Sequence, residues 1–228
     1  MSADAYTIHP IAHICTDFKD KFGIPRQSGL VPELTGRIVF EPEYRDPNAL
    51  VGLEGYSHLW LIWQFSTVAA EYAAGKSWRP TVRPPRLGGN VRRGVFATRS
   101  PYRPNALGLS CVELVGVDGG DLLVKGADLL DGTPIFDIKP YLPYVDAHPD
   151  ARGGFTEQTA GYGLTVECAP ELLAKVPKEK QAALLGVLQN DPRPGYQNDP
   201  QRVYTLDFGA NKVRFTVAGK TLQVQEIL

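Results

Sequence analysis

Three short stretches of the 228-residue chain concentrate side chains able to do chemistry. Residues 127–144 (ADLLDGTPIFDIKPYLPY) space Asp128, Asp131 and Asp137 close to Lys139 and Tyr141, with Pro134, Pro140 and Pro143 restricting the backbone between them. Three carboxylates so spaced suit three jobs. They ligate a divalent cation, cap a turn such as Asp131-Gly132-Thr133, or accept hydrogen bonds from a bound organic molecule. Residues 21–30 (KFGIPRQSGL) present Arg26 and Gln27 from a turn that Pro25 stiffens, and the pair either forks onto a carboxylate or base edge or braces its own turn. Residues 79–110 (RPTVRPPRLGGNVRRGVFATRSPYRPNALGLS) alternate rigid prolines with arginines. Arg99, Arg103 and Asn105 lie there just ahead of an apolar run, where a stiff scaffold can aim a planar guanidinium at a phosphate or stack it on a base. A loop this long inside a globular chain tends to carry function.

The charge pattern points the same way. Between Tyr72 and Cys111 there is no acidic residue, while Lys76, Arg79, Arg83, Arg86, Arg92, Arg93, Arg99 and Arg103 crowd together. Against a chain net charge of −1, these eight cations leave −9 on everything else, so the molecule is strongly dipolar. Cations without acidic partners repel one another, and the counter-charge comes either from an anionic ligand or polynucleotide or from acidic residues elsewhere in the fold.

Other chemistries are missing. No G-x-G-x-x-G follows a strand and no P-loop occurs, and Leu87-Gly88-Gly89-Asn90 is a lone glycine pair. His9 and His13 straddle Pro10 and have no helical metal-binding pattern, so no metal site is expected. Residues 108–112 (GLSCV) lack the closing glycine of a nucleophile elbow around Ser110. Cys15, Cys111 and Cys168 lie far apart, which suggests neither a disulfide framework nor a C-x-x-C site; they read as small buried apolar residues.

The elements that must position these residues are mainly β. Residues 36–41 (GRIVFE), 58–65 (HLWLIWQF) and 108–117 (GLSCVELVGV) are rich in β-branched and aromatic side chains. Asp118-Gly119-Gly120 joins the last of them to residues 121–125 (DLLVK) as a hairpin, because glycine accepts the positive φ of tight turns. Residues 58–65 are apolar at nearly every position and belong at the centre of a closed or packed sheet. Short helical turns fit near residues 46–53 and 68–74. A compact β-barrel or sandwich fits these strands, and we place a linker at residues 148–163, between this β-domain (1–147) and a small α+β domain (164–228). In the latter, leucines at helical spacing over residues 170–189 predict one broken or two short helices around Pro177, and residues 212–217 and 221–227 alternate as a hairpin. The composition, 43% hydrophobic and 21% charged, is that of a globular protein. The opening MSADAYTIHP has no leader pattern, and the longest apolar run falls short of the ~20 residues of a membrane span, so a soluble, cytoplasmic protein with no membrane association is expected.

IPRQSGLV, GLEGYSHLWLIWQF, WRPTVRPPRLGGN, RRGVFATRSPYRPNALGLS and DLLDGTPIFDIKPYLPY resemble, in the same order, the signature segments of the TsaA-like family of bacterial tRNA adenosine-N6 methyltransferases. The likeness runs over residues 6–146, and DPRPGYQ at residues 191–197 is similar to that family's small C-terminal domain. The resemblance implies a single-sheet β-barrel that binds S-adenosylmethionine (SAM), in keeping with the absent glycine fingerprint. It implies a homodimer acting on tRNA, with methyl transfer to N6 of threonylcarbamoyladenosine at position 37. It assigns cofactor contacts to Pro25, Arg26, Gln27, Ser66, Thr67, Arg99, Leu109, Ala127, Asp128, Leu129 and Leu130. Ser66-Thr67 departs from the His-Gln of the enterobacterial form.

Methyl transfer from a sulfonium is an in-line displacement, so it chiefly requires donor carbon and acceptor nitrogen to be held about 3–3.5 Å apart. Adenine N6 is a weak nucleophile whose proton benefits from an acceptor, for which Asp137 is the first candidate and Tyr141 the second. Lys139, Arg103 and Asn105 would position tRNA phosphates or the threonyl carboxylate. Two rival readings remain: a non-catalytic RNA-binding module, and an enzyme of the same fold that methylates a small molecule or protein.

Overall fold

Alternation of apolar side chains builds two β-structures from this chain. In the computed structural model, which describes residues 6–85, 91–194, 197 and 199–228, the strands and helices run in this order. First come β1 (Ala12–Cys15), β2 (Thr35–Phe40), β3 (His58–Gln64), α1 (Ser66–Ala73), β4 (Thr81–Val82), β5 (Arg93–Gly94), β6 (Leu107–Asp118), β7 (Asp121–Lys125), β8 (Thr133–Pro140) and α2 (Pro143–Asp146). Then follow β9 (Thr165–Glu167), α3 (Pro170–Leu173), α4 (Lys178–Gln189), β10 (Tyr204–Phe208), β11 (Asn211–Ala218) and β12 (Thr221–Ile227). Arg86 and the glycine pair at residues 88–89 lie outside the described residues, as do Gly195 and Tyr196 of the DPRPGYQ segment.

Six strands close a barrel in the order β1, β2, β7, β6, β3, β8, with every neighbouring pair antiparallel. Ile14, Ile38, Leu59, Leu61, Val112, Leu122, Val124 and Ile135 point inward and are fully buried. Each contributes about 1.5–3 kcal/mol by leaving water. β3 is central, as its apolar sequence requires, lying between β6 and β8. The turn from β6 to β7 is the two-residue hairpin read from Asp118-Gly119-Gly120, with φ of 58° at Gly119 and 86° at Gly120.

β8 is the strand that the sequence hides, since its prolines and aspartate look like a loop. It pairs with β1 and β3, and its register slips between Ile62 and Trp63 of β3. Trp63 faces Ile135 and Ile62 faces Asp137, so Phe136 is an extra, bulged residue. In a regular strand Ile135 and Asp137 would share a face. The bulge instead turns Asp137 to the outside of the barrel while Ile135 fills the core, the re-aiming for which such bulges are used.

The second structure is a four-stranded sheet ordered β10, β11, β12, β9, with β9 parallel to β12. The leucine-rich stretch breaks at Pro177 into α3 and α4. Leu184, Leu188, Phe208, Phe215 and Leu222 form its core, which also takes in Phe18, Val31 and Leu34 from the segment between β1 and β2. Phe18 meets Phe208 edge to face at 5.9 Å. Val31 lies so close to Gly186 of α4 that a Cβ there would stand 2.7 Å from a Val31 methyl. The three cysteines are free thiols, with Cys15 exposed rather than buried as expected.

Candidate active site

β6 outruns its neighbour. Pairing with β7 ends at Glu113 opposite Lys125, so residues 107–112 have β3 along one edge and, among the described residues, no strand along the other. The loop at residues 25–29 takes that edge. The Cys111 N–H donates to Ser28 Oγ at 3.2 Å, and the Gly29 N–H donates to the Gly126 carbonyl at 2.9 Å. The chain leaving β7 therefore runs against the same loop, and this brings Arg26, Gln27, Arg99 and Asp128 into one neighbourhood.

Asp128 sits at its centre. Its Oδ1 accepts from Ser110 Oγ at 2.6 Å, and Ser110 Oγ accepts from Trp63 Nε1 at 2.9 Å. Burial pushes the Asp128 carboxyl above its ordinary pKa, while Ser110, its own N–H, the nearby Arg99 guanidinium and the Ser28 N–H pull part of the way back. Trp63 reaches Ser110 because residue 108 is glycine: a Cβ there would lie 2.3 Å from the indole ring. Arg99 Nη1 donates to Gln27 Oε1 at 2.5 Å, and the Gln27 amide donates to the Arg26 carbonyl. The Arg26 side chain extends to the second sheet's side, where Nη2 donates to the Arg193 carbonyl at 3.1 Å. Arg193 is buried, its Nε and Nη2 donating to the two carboxylate oxygens of Asp191 at 2.8 and 3.0 Å, and Asp191 also accepts from the Tyr162 hydroxyl at 2.7 Å.

The remaining residues with expected cofactor contacts surround this cluster in three ways. Ala127 and Leu129 are buried in the barrel core, so only their main chain can face a ligand, and the Leu129 carbonyl already accepts from Thr16 Oγ1. Pro25 is buried and Leu130 half-buried, and exposed Ser66 and Thr67 begin α1 directly after β3 and Phe65. Leu109 lies on the outer face of β6, 56% exposed. Ile62 of β3 pairs with Leu109 on one side and Asp137 on the other, so those two residues stand abreast on the outer wall, two strand spacings or about 10 Å apart.

Asp137 Oδ2 pairs with Lys139 Nζ at 2.9 Å, and its Oδ1 accepts from the Ile138 N–H. Both side chains are about half exposed, where such a pair contributes at most about 1 kcal/mol. Tyr141 is not brought to this point. It lies beyond the opposite end of β3 against His58 and Trp60, about 13 Å along the strand from Ile62. Arg103 is engaged locally, its Nη1 donating to the Val95 and Thr98 carbonyls at 3.2 and 2.7 Å, and Asn105 is exposed. Asp131 leaves the group altogether: it accepts from the Thr16 N–H at 2.9 Å and pairs with Lys19 at 2.6 Å. The three aspartates thus serve three separate places rather than one cation.

Ser28, Ser110, Trp63 and Arg193 escaped sequence reasoning. For Ser110 a signal existed, namely a hydroxyl at the inward position of a strand between Gly108 and Val112.

Residues 13–147 match the family model of the tRNA-methyltransferase O N-terminal domain, and residues 162–228 match that of the TrmO C-terminal domain. A tRNA (adenine(37)-N6)-methyltransferase of Escherichia coli K12 is 38% identical over 232 residues, covering 96% of this chain and 97% of its own. A Pseudomonas aeruginosa PAO1 protein whose name assigns it S-adenosylmethionine-dependent methyltransferase activity, RcsF, is 42% identical over 207 residues and 87% of each chain. The crystal structure of TrmO from P. aeruginosa superposes with a TM-score of 0.80 at 33% identity, over 100% of this chain and 98% of that one.

Proposed function

Because the chain belongs to the tRNA-methyltransferase O family and is a SAM-dependent tRNA (adenine37-N6)-methyltransferase, we propose that its substrate base is threonylcarbamoyladenosine. The observation that carries the site assignment is the convergence of the loop at residues 25–29, Arg99 and Asp128 at the edge of β6 beyond its pairing with β7.

The residues fit the cofactor. A carboxyl pushed upward in pKa by burial, with an exposed arginine as its charged neighbour among the described residues, gains a partner when a cation arrives, and SAM carries both a sulfonium and an ammonium. Asp128, Arg99 and Gln27 would hold its charged groups, Leu109 offers an apolar surface for a ring, and the main chain at residues 127–130 offers donors and acceptors. When bound, SAM supplies a methyl carbon activated by the adjoining sulfonium. Trp63 and Ser110 fix the orientation of the Asp128 carboxyl. Asp137 stands on the same outer wall as Leu109, and a carboxylate has lone pairs beyond those used by Ile138 and Lys139. It accepts the N6 proton as the new bond forms. Lys139 beside it takes a phosphate or the threonyl carboxylate. Tyr141, on the far side of Trp60, has a weaker claim to that proton.

The reading includes a homodimer, tested by light scattering, and a cytoplasmic location, where tRNA is modified. The substrate is tested by transfer of radiolabelled methyl to threonine tRNA purified with and without the threonylcarbamoyl group. Labelling confined to the modified tRNA is expected, and equal labelling of both would overturn the finer assignment.

A further inference from the structure

Next to this site the surface carries two aromatic rings that methyl transfer leaves unused. Phe96 is 71% exposed and Trp78 42% exposed, and their ring centres lie 6.3 Å apart with planes tilted by 30°. The backbone beneath them is fixed. The Val95 N–H donates to the Pro80 carbonyl at 2.9 Å, and the Thr98 hydroxyl donates to the Val95 carbonyl at 2.8 Å. Arg103, tied to the Val95 and Thr98 carbonyls, places its guanidinium carbon 5.7 Å from the centre of the Phe96 ring.

Single exposed apolar side chains are common, but a pair beside a hydrogen-bonded turn with a guanidinium against one ring is a different feature. Arg93 of β5, with Arg92 just before it, lies on the strand paired with β4, which follows Trp78; Arg92 donates to Thr81 Oγ1 at 2.9 Å and the Arg93 guanidinium rests 5.9 Å from the centre of the Phe155 ring. Among the described residues, neither these two nor Arg99 and Arg103 forms an ion pair with a carboxylate. Rings offering a π-face together with unneutralised guanidinium groups match one occupant best, a single-stranded nucleic acid whose bases stack while its phosphates meet the arginines.

We propose that Trp78 and Phe96 form a stacking platform for unpaired bases beside the target adenosine in the tRNA anticodon loop. Arg92 and Arg93 meet the adjoining phosphates. The proposal rests on the tRNA methyltransferase reading. Phe96 lies three residues from Arg99, whose side chain bonds Gln27 of the cofactor loop, so a base held on the platform is held close to the reacting one.

The test compares the full-length protein with Phe96→Ala, Trp78→Ala and Phe96→Trp. Methylation kinetics are measured against tRNA, calorimetry against SAM, and light scattering gives the oligomeric state. Phe96→Ala should raise KM for tRNA about tenfold or more with little change in kcat or in SAM affinity, and Phe96→Trp should restore it. An unchanged KM, a matching loss of SAM affinity, or a change of oligomeric state would overturn the platform, the last because a second copy would then cover the rings. Quenching of Trp78 fluorescence by an anticodon stem-loop RNA, with Trp78→Phe as the blank, reads the platform without turnover. Wild-type protein that binds this RNA through Trp78 yet transfers no methyl to tRNA would sink the enzymatic reading and leave the platform standing; no quenching sinks the platform alone.

Discussion

Asp128 carries a burial cost that has a sign. Folding raises its pKa, so the native state favours the protonated carboxyl and loses stability as pH rises through that raised value. Asp128→Asn should therefore keep, or exceed, the wild-type Tm at neutral pH while losing SAM affinity. A lowered Tm would show that the carboxylate stabilises the fold instead. Cofactor binding calls for the ionised form, so SAM affinity measured by calorimetry should weaken as pH falls through the same titration, and Asp128→Asn should flatten that dependence. On the proposed assignment Asp137 serves chemistry rather than cofactor binding: Asp137→Asn should cut kcat by about 100-fold or more with SAM affinity unchanged, and full turnover would remove it from the mechanism. Arg26, Gln27, Arg99 and Asp128 could be singled out from sequence because charged and amide side chains in proline- and glycine-rich segments stand out. Ser110 and Trp63 could not, since a serine within GLSCVELVGV and a tryptophan within HLWLIWQF look like strand filler until the register places one above the other.

At the scale of elements, the site depends on a close approach between β3 and β6. Gly108→Ala would drive a methyl into the Trp63 indole, and overpacking of this kind costs about 1–3 kcal/mol. A fall in Tm of roughly 2–12 °C is expected by calorimetry, together with weaker SAM binding because the Trp63–Ser110–Asp128 chain is disturbed. An unchanged Tm would mean that the strands separate freely at this point. β3, β6 and the β6–β7 hairpin were readable because β-branched and aromatic runs bracket an Asp-Gly-Gly turn. β8 was not: Pro134, Asp137 and Pro140 argue for a loop, and only pairing with β1 and β3 makes the segment a strand. The bulge at Phe136 lies further out of reach, because it is a property of two strands in register and neither sequence contains it alone.

Across the whole molecule, the composition change around residues 148–163 suggested two separable parts, yet the core of the C-terminal sheet includes Phe18, Val31 and Leu34 from the N-terminal side. β2, β3, β6, β7, β11 and β12 are each legible as local patterns, whereas this sharing is a long-range contact that no periodicity encodes. A fragment ending at residue 147 leaves those three side chains uncovered and Arg26 without the Arg193 carbonyl. It should aggregate and bind SAM more weakly than the full chain, as light scattering and calorimetry would show; a monodisperse fragment with full affinity would contradict this. For a protein engineer, or for a gene splitting in evolution, the join is therefore not a free cutting point. A barrel released to live alone would first have to trade three greasy anchors for polar ones and find another hand to hold its loop at residues 25–29.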